Sequence, residues 1–258
     1  FPLAILTGMT AAAIVTGNTV VVKPSTEAPV IAAKLFEILE EAGLPAGVAN
    51  LLYADPVEVG DYLTTHKEVR FINFTGSVKV GCHIYELAAK VQPGQIFLRR
   101  VIAEMGGKDA IIVDGTADLS AAAEGIVTSA FGFSGQKCSA CSRAVVTADV
   151  YDQVLEKVVA RTRALKIGPA TEKDTDVGPV AAERFQKKIL EYIEIGKSEG
   201  RLVLGGSALP GGYYVEPTIF AEVSPTARIA QEEIFGPVLA FIKAEDFDDA
   251  LRIANNTP

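Results

Sequence analysis

Cysteine and histidine are scarce in this chain. It has three cysteines, Cys82, Cys138 and Cys141, and two histidines, His66 and His83. An odd cysteine count in a 258-residue chain argues against a disulfide framework and for a reducing compartment, taken here as the cytoplasm. No His/Cys cluster has zinc-like spacing, so no metal is expected. Long apolar runs are also missing. Ala11 to Val15 is short, and no stretch reaches the roughly 20 residues that span a bilayer. No signal peptide is visible, so a membrane partner is not expected. No run rich in Lys and Arg stands out against a net charge of -8, which argues against nucleic acid as a partner.

What is present is apolar mass. The chain is 49% hydrophobic and 22% charged, enough for one large domain or two smaller ones with separate cores. It opens on Phe1-Pro2 without a Met and stops at Thr257-Pro258, so a longer parent polypeptide is expected.

Hydrophobic periodicity alternates along the chain. Leu3 to Thr16 reads as an Ala-rich helix, Thr19 to Val22 as a β-branched strand, and Ala28 to Ala42 as a helix. In that helix Ile31, Leu35, Ile38 and Leu39 share a face, and Gly43 stands where a C-terminal glycine belongs. Val48 to Leu52 and Val69 to Phe74 read as strands, with helices at Val57 to Thr65 and from Ser77 to about Val91. Near Glu104 a second alternating unit begins: strand Ala110–Val113, helix 120–131, strand 143–147, helix 151–165 and helix 182–199. Residues 168–178 read as surface loop and 205–214 as a Gly-rich excursion. This alternation predicts an α/β fold with parallel sheets covered by helices on both faces. Ligands in such sheets bind beyond the carboxyl ends of strands, where Lys23 and Gly76-Ser77 lie. The domain boundary is expected near Gly106-Gly107.

Four segments carry candidate chemistry. In Gly135-Gln136-Lys137-Cys138-Ser139 a cysteine follows a glycine and a lysine, and a neighbouring cation favours a nucleophilic thiolate. The alternative is a buried core thiol, and Cys141 is the rival nucleophile. In Glu104-Met105-Gly106-Gly107-Lys108 paired glycines allow close backbone approach, so Glu104 is expected in a tight, partly dry site as a general base. The alternative is a solvated turn glutamate. Phe74-Thr75-Gly76-Ser77 ends a strand, opens a helix and offers backbone N–H groups to a phosphate, although the Gly-x-Gly-x-x-Gly fingerprint is absent. In Glu232-Glu233-Ile234-Phe235-Gly236-Pro237 an acid stands two residues before an aromatic, a pattern that could grip a ribose and back a flat ring. The alternative is a loop with a packing Phe. Cys82 and His83 read as helix residues that pack or face solvent.

Together and in this order, the four segments resemble the aldehyde dehydrogenase superfamily over essentially the whole chain. The resemblance implies a three-layer, doubly wound architecture: a Rossmann-like NAD(P)-binding part at residues 1–106 and a catalytic α/β part at 107–258. It implies Cys138 as nucleophile and Glu104 as general base. It assigns Gly76 and Ser77 to the cofactor pyrophosphate, Glu233 and Phe235 to the nicotinamide riboside, and Lys23 with Ser25 to the adenosine ribose. Thr26 stands where many relatives carry an acid that disfavours NADP, so NAD is expected as the main cofactor with NADP tolerated. Phe1, Lys137 and Ser139 are the expected substrate contacts. In the family an oxyanion-binding Asn precedes the Phe-Pro, and a substrate-anchoring loop lies beyond the position of Pro258. A homo-oligomer is expected of the full-length protein.

Finer features narrow the resemblance. Arg70 to Ser77, Pro93-Gly94-Gln95, Gly107 to Asp114, Gly132 to Ala140 and Tyr192 to Lys197 are similar to the bacterial L-glutamate γ-semialdehyde dehydrogenases of proline breakdown. This implies oxidation of that semialdehyde to L-glutamate through a cysteine thioester. The competing readings are another small aldehyde as substrate, or a non-catalytic structural paralogue.

Overall fold

Two units make up the structure, a computed structural model that describes residues 1–257. They are Phe1–Gly106 and Gly107–Pro258. The first unit runs α1 (Ala4–Val15), β1 (Val20–Val22), α2 (Pro29–Glu41), β2 (Ala49–Leu51), α3 (Pro56–Thr65), β3 (Phe71–Thr75), α4 (Val78–Ala88) and β4 (Arg100–Glu104). Helices α2 and α3 each begin with a proline, whose missing N–H costs nothing in the first turn. Asp55 caps α3 by accepting from the amides of Val57 and Glu58 at 2.8 and 3.3 Å. Helix α2 ends as its sequence requires. Gly43 takes φ +79°, its amide bonds Glu40, and the Leu44 amide reaches back to Leu39 at 3.0 Å. One detail departs from expectation: Ile38 is exposed. The buried line runs through Ala32 and Leu35, with Leu39 half-buried, three to four residues apart on a neighbouring face.

The strands of this unit are parallel but form two separate pairs, β1 with β2 and β3 with β4. Among the described residues no single continuous sheet links them. Strand β4 escaped the sequence reading because Pro93-Gly94 and a charged Arg99-Arg100 precede its short apolar core.

The second unit contains β5 (Ala110–Val113), α5 (Leu119–Phe131), a tight turn at Gly132–Gly135, β6 (Arg143–Thr147) and α6 (Tyr151–Arg163). Then follow α7 (Glu183–Glu199), β7 (Arg201–Leu204), β8 (Ala208–Leu209), β9 (Tyr214–Val215), β10 (Thr218–Ala221), α8 (Arg228–Gln231), β11 (Val238–Ala244) and α9 (Phe247–Asn255). Five strands make one sheet in the order β5-β6-β11-β10-β7, parallel except for β7 at the edge. Alternate residues feed two cores. Leu239 and Phe241 of β11 join α5 and α6 on one face. Val238, Ala240 and Ile242 join α7 and α9 on the other. This unit therefore has the doubly wound, three-layer build. Residues 205–214, expected as an excursion, contain the small β8–β9 hairpin. The 168–178 loop is tied at its base by a bridge between Ile167 and Val177.

Arg143 is the largest fully buried side chain, 2% exposed. It donates from Nε to the Lys108 carbonyl at 2.8 Å, from Nη1 to Ile253 at 3.0 Å and from Nη2 to Ala254 at 2.9 Å. The last two carbonyls lie in the final turn of α9, where a cation also meets the negative end of the helix dipole. Arg143→Met would leave these carbonyls buried without donors. We expect a stability loss of about 2–4 kcal/mol, read from the denaturant midpoint of the full-length gene product. An unchanged midpoint would contradict this account of the α9 anchor.

Candidate active site

In the first unit, parallel strands bring several predicted residues to carboxyl ends. Lys23 follows β1 directly. Its Nζ donates to the Pro24 carbonyl at 2.8 Å, and partial burial lowers its pKa while Asp55 opposes the shift. Ser25 and Thr26 are exposed just beyond it, with Ser25 Oγ accepting from the Glu27 amide. Phe1, at the start of the unit, is also exposed. Gly76, Ser77 and Glu104 are neighbours. Thr75 of β3 pairs in register with Glu104 of β4, and the Gly76 amide donates to the Glu104 carbonyl at 3.0 Å. That amide is therefore committed to the chain itself. Ser77 caps α4 through the Val80 amide. A Cβ on Gly76 would meet the Phe74 ring at 2.5 Å, so any larger residue there would have to displace that ring. Glu104 is exposed at the end of β4, which corrects the expectation of a partly dry setting. As the last residue of an alternating strand it points to the same side as exposed Ile102 and Arg100, so the pleat itself turns it outward.

The second unit builds Cys138 on a strained turn. Phe133 and Ser134 both take φ 56° and ψ 31°, and Gly135 follows at φ +66°. This left-handed region costs a non-glycine residue roughly 1–2 kcal/mol. Side chains hold it in place. Ser134 Oγ donates to the Gly178 carbonyl at 2.7 Å, and buried Gln136 accepts from the Ala181 amide at 2.9 Å. Two glycines bring backbones into contact here. A Cβ on Gly135 would strike the Gly236 carbonyl, and one on Gly107 would lie 2.6 Å from the Cys138 carbonyl oxygen. The Cys138 loop thus rests on both the Gly107 segment and the Glu233–Gly236 segment. Phe235 in the latter also has a positive φ, 60°.

Exposure separates the two candidate nucleophiles. Cys138 and its neighbour Ser139 are exposed, whereas Cys141 is buried and burial pushes its thiol up to about 12. At neutral pH Cys141 therefore remains a thiol, with its Sγ 3.4 Å from the Arg143 carbonyl. Lys137 is half-buried, and burial lowers its pKa. Cys82 is exposed on α4, and His83 beside it meets Asp61 at 2.8 Å near solvent.

Two features of this region were not singled out from sequence. The first is a staple on the approach to Glu233. Tyr192 of α7 donates to Glu232 at 2.6 Å and Arg228 grips the same carboxylate with two bonds at 2.9 Å. The Arg228 bonds, then the Tyr192 bond, hold the Glu232 carboxyl near 2. Lys188 Nζ adds a bond to the Glu233 carbonyl at 2.9 Å. The spacing of Arg228 and Glu232, four apart, was the available signal. The second is Lys108, buried beside the Gly107 contact. It stood in plain view within the Glu-Met-Gly-Gly-Lys segment, but nothing in sequence indicated that its amine would be enclosed.

Among the described residues no group of three His, Cys, Asp or Glu could hold a metal ion, and no helix is long and apolar enough to cross a membrane.

The exposure contrast gives a direct check. Brief alkylation with iodoacetamide under native conditions, followed by peptide mass analysis, should label Cys138 and Cys82 and spare Cys141. Preferential labelling of Cys141 would overturn the geometry of this loop.

The profile described as "Aldehyde dehydrogenase family" matches residues 1–258. The chain is 63% identical, over its whole length, to a 1-pyrroline-5-carboxylate dehydrogenase of Geobacillus thermodenitrificans (strain NG80-2) and 60% identical to one of Bacillus subtilis (strain 168). It covers 50% of each, so it spans about half the length of these curated relatives. A crystal structure of the Thermus 1-pyrroline-5-carboxylate dehydrogenase with bound NAD superimposes with a TM-score of 0.97 at 56% identity, covering all of this chain and 50% of that one. Proline utilization A from Bdellovibrio bacteriovorus gives 0.96 at 48% identity, over 99% of this chain and 27% of that one. The chain belongs to the aldehyde dehydrogenase family.

Proposed function

We propose that the full-length gene product oxidises L-glutamate γ-semialdehyde to L-glutamate, with Cys138 as nucleophile and NAD as the main cofactor. The observation that carries the chemistry is the exposed Cys138 on a strained turn packed against the Phe235 segment, three residues from a thiol too buried to compete. The whole-chain identity to 1-pyrroline-5-carboxylate dehydrogenases supports the substrate.

The donor set suits a dinucleotide. In the first unit the Lys23 ammonium and the Ser77-capped start of α4 lie at carboxyl ends of parallel strands. In the second, the Glu233 side chain has no hydrogen-bond partner among the described residues and is available to ribose hydroxyls. Phe235 is partly exposed two residues on. Lys23 and Ser25 would hold the adenosine ribose, Ser77 at the start of α4 the pyrophosphate, with Gly76 permitting close approach rather than donating its committed amide, and Glu233 and Phe235 the nicotinamide riboside. When bound, the nicotinamide accepts the hydrogen and two electrons that leave the aldehyde carbon.

The chain's own residues do the rest. The Cys138 thiolate attacks the aldehyde carbon, forming a C–S bond and an oxyanion. Collapse of that adduct restores the carbonyl and leaves a thioester. Glu104 takes a proton from water, whose oxygen attacks the thioester carbon. The C–S bond breaks, freeing the carboxylic acid and returning Cys138 as thiolate. Glu104 being exposed fits a base that must meet water. Lys137 and Ser139 flank Cys138 and, with Phe1, would contact the substrate. Lys137 offers a cation to its carboxylate.

The decisive test is NADH formation by the full-length gene product with the semialdehyde and with a panel of other aldehydes. Preference for the semialdehyde, lost by at least about 10³-fold in Cys138→Ala, is the expected result. Activity that survives the alanine would exclude the covalent route, and preference for another aldehyde would retire the substrate. A second measurement concerns cofactor choice. Thr26 is exposed and uncharged, so a 2′-phosphate meets no repulsion from it. Thr26→Glu should raise the NAD over NADP preference by about tenfold, equivalent to about 1.4 kcal/mol. An unchanged ratio would remove Thr26 from the ribose site.

A further inference from the structure

Helix α7 spends several polar side chains on one short stretch of chain. Lys188, Tyr192 and Glu199 stand four and then seven residues apart, so they line one stripe of the helix. All three meet the segment that runs from α8 into Glu233. The Glu199 carboxylate accepts from the amides of Arg228 and Ile229 at 3.0 Å each, at the start of α8. The Tyr192 hydroxyl donates to Glu232 at 2.6 Å, just past the end of α8, and Arg228 grips the same carboxylate. Lys188 Nζ and the Arg228 guanidinium each lie 5.7 Å from the centre of the Tyr192 ring. Lys188 Nζ then donates to the Glu233 carbonyl at 2.9 Å. Ile189, next in the helix, packs on Gly236, where a Cβ would strike its side chain. These bonds fall on Glu232 and on the backbone of Glu233, and none falls on the Glu233 carboxylate.

We propose that Lys188 is a positioning residue for the cofactor: from α7 it holds the Glu233 carbonyl, and with it the direction in which the Glu233 carboxylate is presented to a ribose diol. The inference rests on the reading of Glu233 as the nicotinamide-ribose contact. Tyr192 and Arg228 support it from the residue before. A carbonyl held on Glu233 and a carboxylate held on Glu232 leave the backbone between them little freedom to turn. The same bracing lets Phe235 keep its unfavourable φ of 60° two residues on. The ribose therefore meets an acid already aimed, and binding does not have to order the loop. The clamp is insensitive to pH near neutrality. The Arg228 bonds and then the Tyr192 bond hold the Glu232 carboxyl near 2, while burial and then the Glu232 bond raise the Tyr192 hydroxyl to about 12. The acceptor stays ionised and the donor stays protonated between those values.

The test is a double-mutant cycle on NADH binding to the full-length gene product, followed by fluorescence titration. Lys188→Met keeps the reach of the side chain and loses the donor. It should weaken NADH by about three- to tenfold, the worth of one hydrogen bond. Lys188→Arg still donates and should bring the affinity back to within about twofold of wild type. In a Glu233→Ala background the same Lys188→Met change should cost less than about twofold, because the carboxylate it aims is gone. In turnover, KM for NAD should rise in Lys188→Met while KM for the aldehyde holds. A lysine that only stabilises the fold would cost the same factor in both backgrounds, and that result would overturn the inference, as would undiminished affinity in Lys188→Met. If Lys188→Met does not fold, Tyr192→Phe, which removes a single oxygen, enters the same cycle with the same expected loss of effect in Glu233→Ala. Undiminished affinity in Glu233→Ala alone would instead overturn the ribose reading itself, so the two failures are distinguishable.

Discussion

The candidate site depends on one close approach, that of the Gly135 backbone to the Gly236 carbonyl. It leaves no room for a Cβ and demands a left-handed backbone at Gly135. Everything nearby is arranged to tolerate it. Phe133 and Ser134 share the left-handed conformation, an unfavourable choice for both. The hydrogen bonds from Ser134 to Gly178 and from Ala181 to Gln136 reach across to a loop more than forty positions along the chain. Such strain persists only where the surroundings over-determine it. Here the surroundings are a sheet buried on both faces, with α5 delivering the turn from one core and β6 receiving the chain into the sheet between the two. Strain of a few kcal/mol is thus offset by burial in the core rather than by any contact within the loop.

Two buried cations near this turn show how differently a protein can settle a charge. Arg143 presents a planar fork, and three carbonyls meet it. It needs no acid, since a helix end supplies the negative potential. Lys108 is a compact point charge with nothing in hydrogen-bond reach. The difference follows from geometry. The Lys108 carbonyl accepts from Arg143, which ties the backbone at Lys108 to the α9 anchor, while the amine is buried without a partner. A fully satisfied charge fixes structure, whereas an unsatisfied one, its pKa brought down to about 7 chiefly by burial, is a variable.

The first unit and the front of the second were largely legible because their signals are local. β-branched runs, N-terminal prolines, Asp55 and Gly43 each act within a few residues of where they stand, so most helix and strand bounds follow to within a residue or two, while α4 ends three residues before the expected Val91. Strands β7, β10 and β11 were not read. Two of them are buried on both faces, and their apolar runs lack the alternation that marks a half-buried strand. Sheet order is likewise a long-range property. β11 lies between β6 and β10, and no spacing in the sequence encodes that insertion. At the site, the candidate segments were found from residue type alone. Their environments were not. The exposure of Glu104, the burial of Cys141 and the enclosure of Lys108 are set by strands and helices distant in sequence.

The contrast between Cys138 and Cys141 carries this further. The two thiols are chemically identical and three positions apart, and both follow the same lysine. What separates them is the phase of the chain as it enters β6. Cys141 lies at the entry to a strand whose residues are all buried, while Cys138 is still on the turn, lifted by Gly135 and braced by Gly107. A thiol taken into the core must remain protonated, because a thiolate there would lose its solvation. The glycines thus select the nucleophile by steering the backbone, without touching a sulfur atom. That accounts for their presence on both sides of the thiol, in segments far apart in the chain, and it makes the spacing from Gly135 to Cys138 a mechanical requirement of the proposed chemistry.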